Sequence, residues 1–154
     1  MSSMIEKRLS EMGIVLPQAA APVASYLPFA RTGQLLLTAG QLPLKDGSMI
    51  ATGLLGRDLD TAAGLDAAKQ CAVNVLAQAK AAAGSLENIK SVVKITVFVA
   101  STPDFTEQHL VANGASDLLA AVLGEAGKHA RSAVGVASLP LNAPVEIEAI
   151  LEIA

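Results

Sequence analysis

Tryptophan is absent from this 154-residue chain, and one tyrosine and three phenylalanines are its whole aromatic complement, 3% of residues. A core built around large rings is therefore excluded. With 52% of residues apolar, it must be assembled from Ala, Val, Leu and Ile, and so many small side chains require close packing. Cysteine occurs once, at Cys71, which excludes an intrachain disulfide and a cysteine-based zinc site. Two histidines, His109 and His129, are too few for a metal cage without several carboxylates, so no structural metal is expected. No apolar run approaches the roughly 18 to 20 residues that span a bilayer. The opening MSSMIEKRLSEMG is charged throughout, unlike the apolar centre of a signal peptide. A soluble, cytoplasmic protein is expected. Nor is there a basic cluster: 11 Lys and Arg stand against 14 Asp and Glu, a formal net charge of -3, which leaves no footprint for a polyanion such as nucleic acid. Serine-protease arrangements, phosphate-cradling glycine loops and zinc spacings are missing as well.

What is present fits one domain, residues 1–154, long enough to bury a core without staples. Ile5, Leu9 and Met12 have helical spacing, with Gly13 as a stop and Pro17 beyond it, so the first residues through Met12 are expected to form a short helix. Apolar runs over Ser25–Gly33 and Gln34–Ala39, punctuated at Thr32-Gly33, read as paired strands. A turn at Lys45-Asp46-Gly47 precedes a short strand in SMIATG, and LLGRDLDTAAG reads as a loop leading into a helix. That helix is predicted from Thr61 to Ala83, capped by Asp60 and stopped by Gly84, with Ala68, Cys71, Val75, Ala79 and Ala82 as its apolar stripe and Gly64 weakening its first turn. Ser91–Ala100 is β-branched and continuously apolar, which predicts a central strand covered on both faces. Thr102-Pro103 has the form of a cap and first-turn proline, opening a second long helix through Leu123. Strands over Ser132–Leu139 and Val145–Ile153 complete an α+β order: a mixed sheet with both long helices on one face, the helical crossovers joining parallel neighbours.

Two opposite charges sit in the last two strands. Period-two alternation sets Val145, Ile147, Ala149, Leu151 and Ile153 on one face and Glu146, Glu148 and Glu152 on the other. This is also the pattern of an ordinary solvated face, and Arg131 at a strand start is also what an exposed ion pair of little value would show. An arginine, however, can grip a carboxylate by two parallel hydrogen bonds, which lysine cannot. Were these strands a simple hairpin turning near Leu141, Arg131 would pair several residues beyond Glu146. A shared site then requires a different strand order or a neighbouring subunit.

The motifs ARSAVGVASLP and VEIEAI, with YLPFA, TAGQLPL and KITVFV running into a proline-opened helix, resemble the RidA (reactive intermediate deaminase, or YjgF) superfamily along most of the chain. The N-terminal helix and the longer segment around Leu54 to Leu65 resemble its longer-chain, endoribonuclease-like branch. The resemblance implies a chorismate-mutase-like fold and a homotrimer with ligand clefts between subunits. It further implies that Arg131 binds the carboxylate of a small 2-imino acid, that Glu146 positions water, that Tyr26 and the backbone near Gly40 line the cleft, and that Ala133 contributes backbone contacts. Hydrolysis would release a 2-oxo acid and ammonia with no metal or organic cofactor. Ala133 stands where many archetypal members have cysteine, Ala39 where many have serine, and Pro103 near a position often held by asparagine. A thiol-dependent step at residue 133 is thereby excluded. Two other functions compete: a noncatalytic module binding small carboxylates such as 2-oxo acids, and a ribonuclease, against which the acidic balance and the scarcity of stacking aromatics both weigh. Cys71 reads as an inert packed thiol, His109 as a helix-surface residue, His129 as a structural residue near the cleft mouth, and Asp58 and Asp60 as turn and cap.

Overall fold

The alternation in the last strand organises the molecule. In the computed structural model, which describes residues 3–19 and 24–154, β7 (Val145–Ile153) buries Val145, Ile147, Ala149, Leu151 and Ile153 and turns its glutamates to the opposite face. It is the middle strand of a five-stranded mixed sheet. On one side lies the hairpin of β1 (Phe29–Thr32) and β2 (Leu35–Thr38), and on the other β5 (Ile89–Ala100) followed by β6 (Ala130–Val136), in the order β1-β2-β7-β5-β6. All neighbours are antiparallel except β5 and β6, which run parallel. A separate two-stranded ribbon joins β3 (Leu44–Lys45) to β4 (Ser48–Met49) through Asp46 and Gly47, both at positive φ, the conformation of a type I′ hairpin.

Two long helices cover the sheet face that carries the odd-numbered residues of β7. The first, α2 (Thr61–Ala83), begins with the Asp60 carboxylate accepting from the Ala63 N–H at 2.9 Å and ends at Gly84 in the left-handed conformation, φ 82°. The second, α3 (Gln108–Leu123), lies against it. Contact between them is close because Gly64 and Gly114 face the partner helix: a Cβ at Gly64 would sit 2.8 Å from Val111 Cγ2, and one at Gly114 would run into the Leu65 carbonyl. The glycine that weakens the first turn of α2 is thus required by packing. A short helix, α1 (Met4–Glu11), capped by Ser3, buries Ile5 and Leu9 and is tied to the end of α3 by Arg8 Nη1 donating to the Val122 carbonyl at 3.0 Å. Residues 1–2, included in the helix expected there, lie outside the described residues.

Several expectations need correction. The second long helix starts at Gln108, several residues after the Thr102-Pro103 signal. The preceding backbone is engaged elsewhere: Leu55 N–H donates to Ala100 O at 2.9 Å, Thr102 N–H to Leu55 O at 3.0 Å, and Ser101 N–H to Val136 O at 3.0 Å. Three bridging bonds hold residues 100–102 extended, and local propensity yields to them. The same bonds give the added segment around Leu54 to Leu65 a role, since Leu55 is fully buried beneath α2 and α3. β5 is interior and hydrogen-bonded along both edges, but β7 is the middle strand, and within this chain only one face of β5 is covered. The crossover α3 joins parallel neighbours, β5 and β6, whereas α2 joins β2 to β5 with β7 inserted between them. β1 begins at Phe29 rather than Ser25, and β6 ends at Val136 rather than Leu139.

Helix propensity alone favours Ala over Gly by about 1 kcal/mol, while overpacking costs about 1–3 kcal/mol and the obstacle at Gly114 is backbone that cannot rotate away. Gly114→Ala is therefore expected to lower the urea unfolding midpoint. An unchanged or raised midpoint would show that α2 and α3 separate without cost.

Candidate functional site

Because β5 lies between them, β6 and β7 do not pair. Arg131 is level with Ile95 of β5, itself level with Ala149, while Glu146 is level with Phe98 and Val134. The two charged positions are offset by two strands and three residues, about 14 Å of backbone by strand geometry. They also occupy opposite faces: Arg131 is on the helix side with the buried Ile95, and Glu146 is on the uncovered side with Phe98 and Val134. One chain thus carries two separate candidate half-sites.

The first is at the β6 edge. Arg131 Nη1 donates to Asn113 Oδ1 at 2.8 Å and to Ser116 Oγ at 3.0 Å, and Nη2 donates to the His109 carbonyl at 3.0 Å. All three acceptors belong to α3. A guanidinium has five N–H donors, so two are left, one on Nε and one on Nη2, and paired guanidinium donors suit the two oxygens of a carboxylate. Ala133 follows on the same face of β6, half-buried against the core, and Gly135 lies beyond it. At that end Ser101, Pro103, Phe105 and Gln108 join Gly135 around a surface hollow of about 390 Å³. Small residues at 133 and 135 keep this side of β6 open next to the arginine.

The second half-site surrounds Glu146. Past the end of β2, Gln41 continues the pairing with β7, its N–H donating to Ile147 O at 2.8 Å and its carbonyl accepting from Ile147 N–H at 3.0 Å. Gly40 is thereby laid against the Glu146 side chain, and a Cβ there would fall on the carboxylate oxygen Oε1. Glycine is needed at 40 for space. Half-buried and beside the charge of Glu148, the Glu146 carboxyl is pushed above the ordinary carboxylate range, burial being the larger cause. Tyr26 precedes β1 at the same end of the hairpin, where Pro28 O accepts from Ala39 N–H at 2.8 Å; its side chain is 54% exposed. The structure thus sets Gly40 against Glu146, and separately places Arg131 and Ala133 on one face of β6, with Tyr26 ahead of β1.

Asn113 and Ser116 were not anticipated from sequence. The available signal is a polar pair three residues apart on a helix whose other inward positions are apolar, one helical turn apart and so on one face. His129 is engaged by Ser116, with Nε2 2.9 Å from Oγ. Cys71 is buried, and its thiol is raised well above its usual pKa, first by burial and then by the Glu146 charge, which leaves it unreactive. Asp58 accepts from the Leu54 N–H at 2.9 Å and turns the loop, as Asp60 caps α2. Among the described residues no three His, Cys, Asp or Glu side chains converge to hold a metal ion, and no helix is long and apolar enough to cross a membrane.

Comparison with known proteins places this geometry in context. A profile of the family described as "YjgF/chorismate_mutase-like, putative endoribonuclease" matches residues 6–152. The chain is 48% identical to Protein TCP17 of Trypanosoma cruzi over 153 residues, covering 99% of this chain and 96% of that one. A crystal structure of a protein with unknown function from Agrobacterium tumefaciens is 57% identical and superposes with a TM-score of 0.93, over 98% of this chain and 93% of the other. The structure of E. coli TdcF with bound serine is 27% identical with a TM-score of 0.64, over 89% and 94% of the two chains. The mixed sheet with its two long helices is chorismate-mutase-like.

The raised pKa of Glu146 has a consequence for stability. A carboxyl whose folded pKa exceeds its unfolded value contributes most below the ordinary value of 4.5 and loses that contribution as pH rises through the folded value. Glu146→Gln removes the ionisation and is expected to raise the unfolding temperature at about pH 8 while changing it little at about pH 4. The same gain at both pH values would mean that ionisation of Glu146 is not what is penalised.

Proposed function

Because the chain belongs to the YjgF/chorismate-mutase-like (RidA) family, we propose that this protein is a cofactor-independent imine deaminase, hydrolysing small 2-imino acids to 2-oxo acids and ammonia in clefts between the subunits of a cytoplasmic homotrimer. The observation that carries the reading is the free edge of Arg131: three of its donors are held by α3, and those on Nε and Nη2 are left for a carboxylate. In the cleft, Arg131 and Ala133 of one protomer meet Glu146, Gly40 and Tyr26 of a neighbour. Apolar side chains on the uncovered sheet face support such an assembly: Leu35, Leu37 and Val134 are each about two-fifths exposed, at 41%, 40% and 42%.

The chemistry asks little of the protein beyond placement. An iminium carbon is already electrophilic, and holding it near water in the right orientation supplies several kcal/mol. Glu146 takes a proton from that water as its oxygen bonds to carbon, giving a tetrahedral amino alcohol. The proton passes to nitrogen, the C–N bond breaks to release ammonia, and the remaining hydroxyl becomes the 2-oxo group as its proton returns to the Glu146 carboxylate, from which ammonia takes it as ammonium. A carboxylate whose pKa lies above the ordinary range is the stronger base for the first step and a usable acid for the second. With Ala at 133, no sulfur nucleophile takes part.

A second reading keeps the arginine and omits the chemistry: a binding module for small carboxylates. It is favoured by the serine bound to the related TdcF. Ribonuclease action is the weakest reading, since a formal net charge of -3 and four aromatic residues offer a polyanion little attraction or stacking.

In an assay that generates 2-iminopropanoate and 2-iminobutanoate with an amino-acid oxidase, wild-type protein is expected to accelerate imine loss and Arg131→Ala to reduce the rate to that of buffer. Calorimetric binding of 2-oxobutanoate without any acceleration would select the binding module, and full activity in Arg131→Ala would refute the carboxylate clamp. Light scattering is expected to give three times the 15.7 kDa chain mass. A monomer at working concentration would leave the two half-sites apart and remove the intersubunit cleft.

A further inference from the structure

The acceptor of one Arg131 hydrogen bond is itself held in place. Ser116 Oγ lies 3.0 Å from Arg131 Nη1 and 2.9 Å from His129 Nε2, and His129 Nδ1 lies 2.6 Å from the Gly127 carbonyl oxygen. A carbonyl oxygen can only accept, so Nδ1 carries a proton. In the neutral ring Nε2 is then the acceptor, and Ser116 donates its one hydroxyl proton to it. The lone pairs of Oγ are left facing the guanidinium. The relay has one sense throughout: Arg131 donates to Ser116, Ser116 to His129, and His129 to the backbone at Gly127. A free hydroxyl could turn its proton toward Nη1, setting donor against donor.

We propose that His129 is a positioning residue for ligand binding: through Ser116 it holds the Arg131 guanidinium against α3 so that the Nε and Nη2 edge faces the ligand carboxylate. The inference rests on the carboxylate-binding role assigned to Arg131. His129 precedes that arginine by two residues, just ahead of β6, and Gly127 is buried under the Leu119 carbonyl, where a Cβ could not fit, so the anchor of the relay is rigid backbone. An unanchored guanidinium still reaches the ligand but loses time in other rotamers. Such a loss weakens ground-state and transition-state binding alike, which raises KM and leaves kcat in place.

The test compares full-length wild type, Arg131→Ala, Ser116→Ala, His129→Leu and His129→Gln. Three quantities are measured: kcat and KM for 2-iminobutanoate generated in situ, calorimetric Kd for 2-oxobutanoate, and the unfolding midpoint. A single lost hydrogen bond of about 1 kcal/mol corresponds to roughly a fivefold to tenfold change. Ser116→Ala and His129→Leu are expected to raise KM and Kd by about that factor with kcat within about twofold. His129→Gln is expected to restore both, because its amide oxygen can accept from Ser116. Unchanged Kd and KM in folded His129→Leu, with binding lost in Arg131→Ala, would overturn the relay while leaving the clamp intact. Unchanged binding in Arg131→Ala itself would instead overturn the clamp and the relay with it. Should His129→Leu fail to fold, Ser116→Ala decides: normal Kd there overturns the proposal, and a raised Kd at normal kcat supports it.

Discussion

The position of β5 between β6 and β7 is the constraint on which the rest of the molecule depends. It runs parallel to one and antiparallel to the other, so β6 can arrive only after a crossover through α3, while β7 returns directly beside β2. This order separates Arg131 from Glu146 laterally. The alternation of side chains then separates them again, one to each face. No rotamer of either residue crosses a sheet. Within one chain, therefore, the two charges do not meet.

Each half-site is prepared by packing that is remote from chemistry. Arg131 is set by α3, and α3 is placed by the close approach to α2 that Gly64 and Gly114 permit. Its start at Gln108 follows from the Leu55 bridges that keep residues 100–102 extended. Were the helix to begin at the proline, as local propensity favours, the backbone bridges to Leu55 and Val136 would be lost, and each buried bond forgone costs about as much as a cap supplies. Several bonds outweigh one signal. On the other side, the extension of pairing from β2 through Gln41 presses Gly40 onto Glu146, and the resulting desolvation raises the carboxyl pKa.

Much of the architecture was legible from sequence because its signals were local and unopposed. The cap at Asp60 and the left-handed Gly84 bound α2 where they were expected, and the alternation in VEIEAILEI defines β7 to the residue. The motifs around Arg131 and Glu146 pointed to the family that the comparisons show. Asn113 and Ser116 were visible only as polar interruptions in a helix, since nothing local says which strand that helix will lie on.

By itself, then, the sequence determined which residues face a core and where the long helix begins and ends, because periodicity and capping act over a few residues; Arg131 and Glu146 stood out only through the resemblance of their motifs to a family. Tertiary structure decided the strand order, the late start of α3, the face and partners of Arg131, and the contact between Gly40 and Glu146. These depend on groups distant in the chain, joined by backbone bonds and packing that local patterns do not encode.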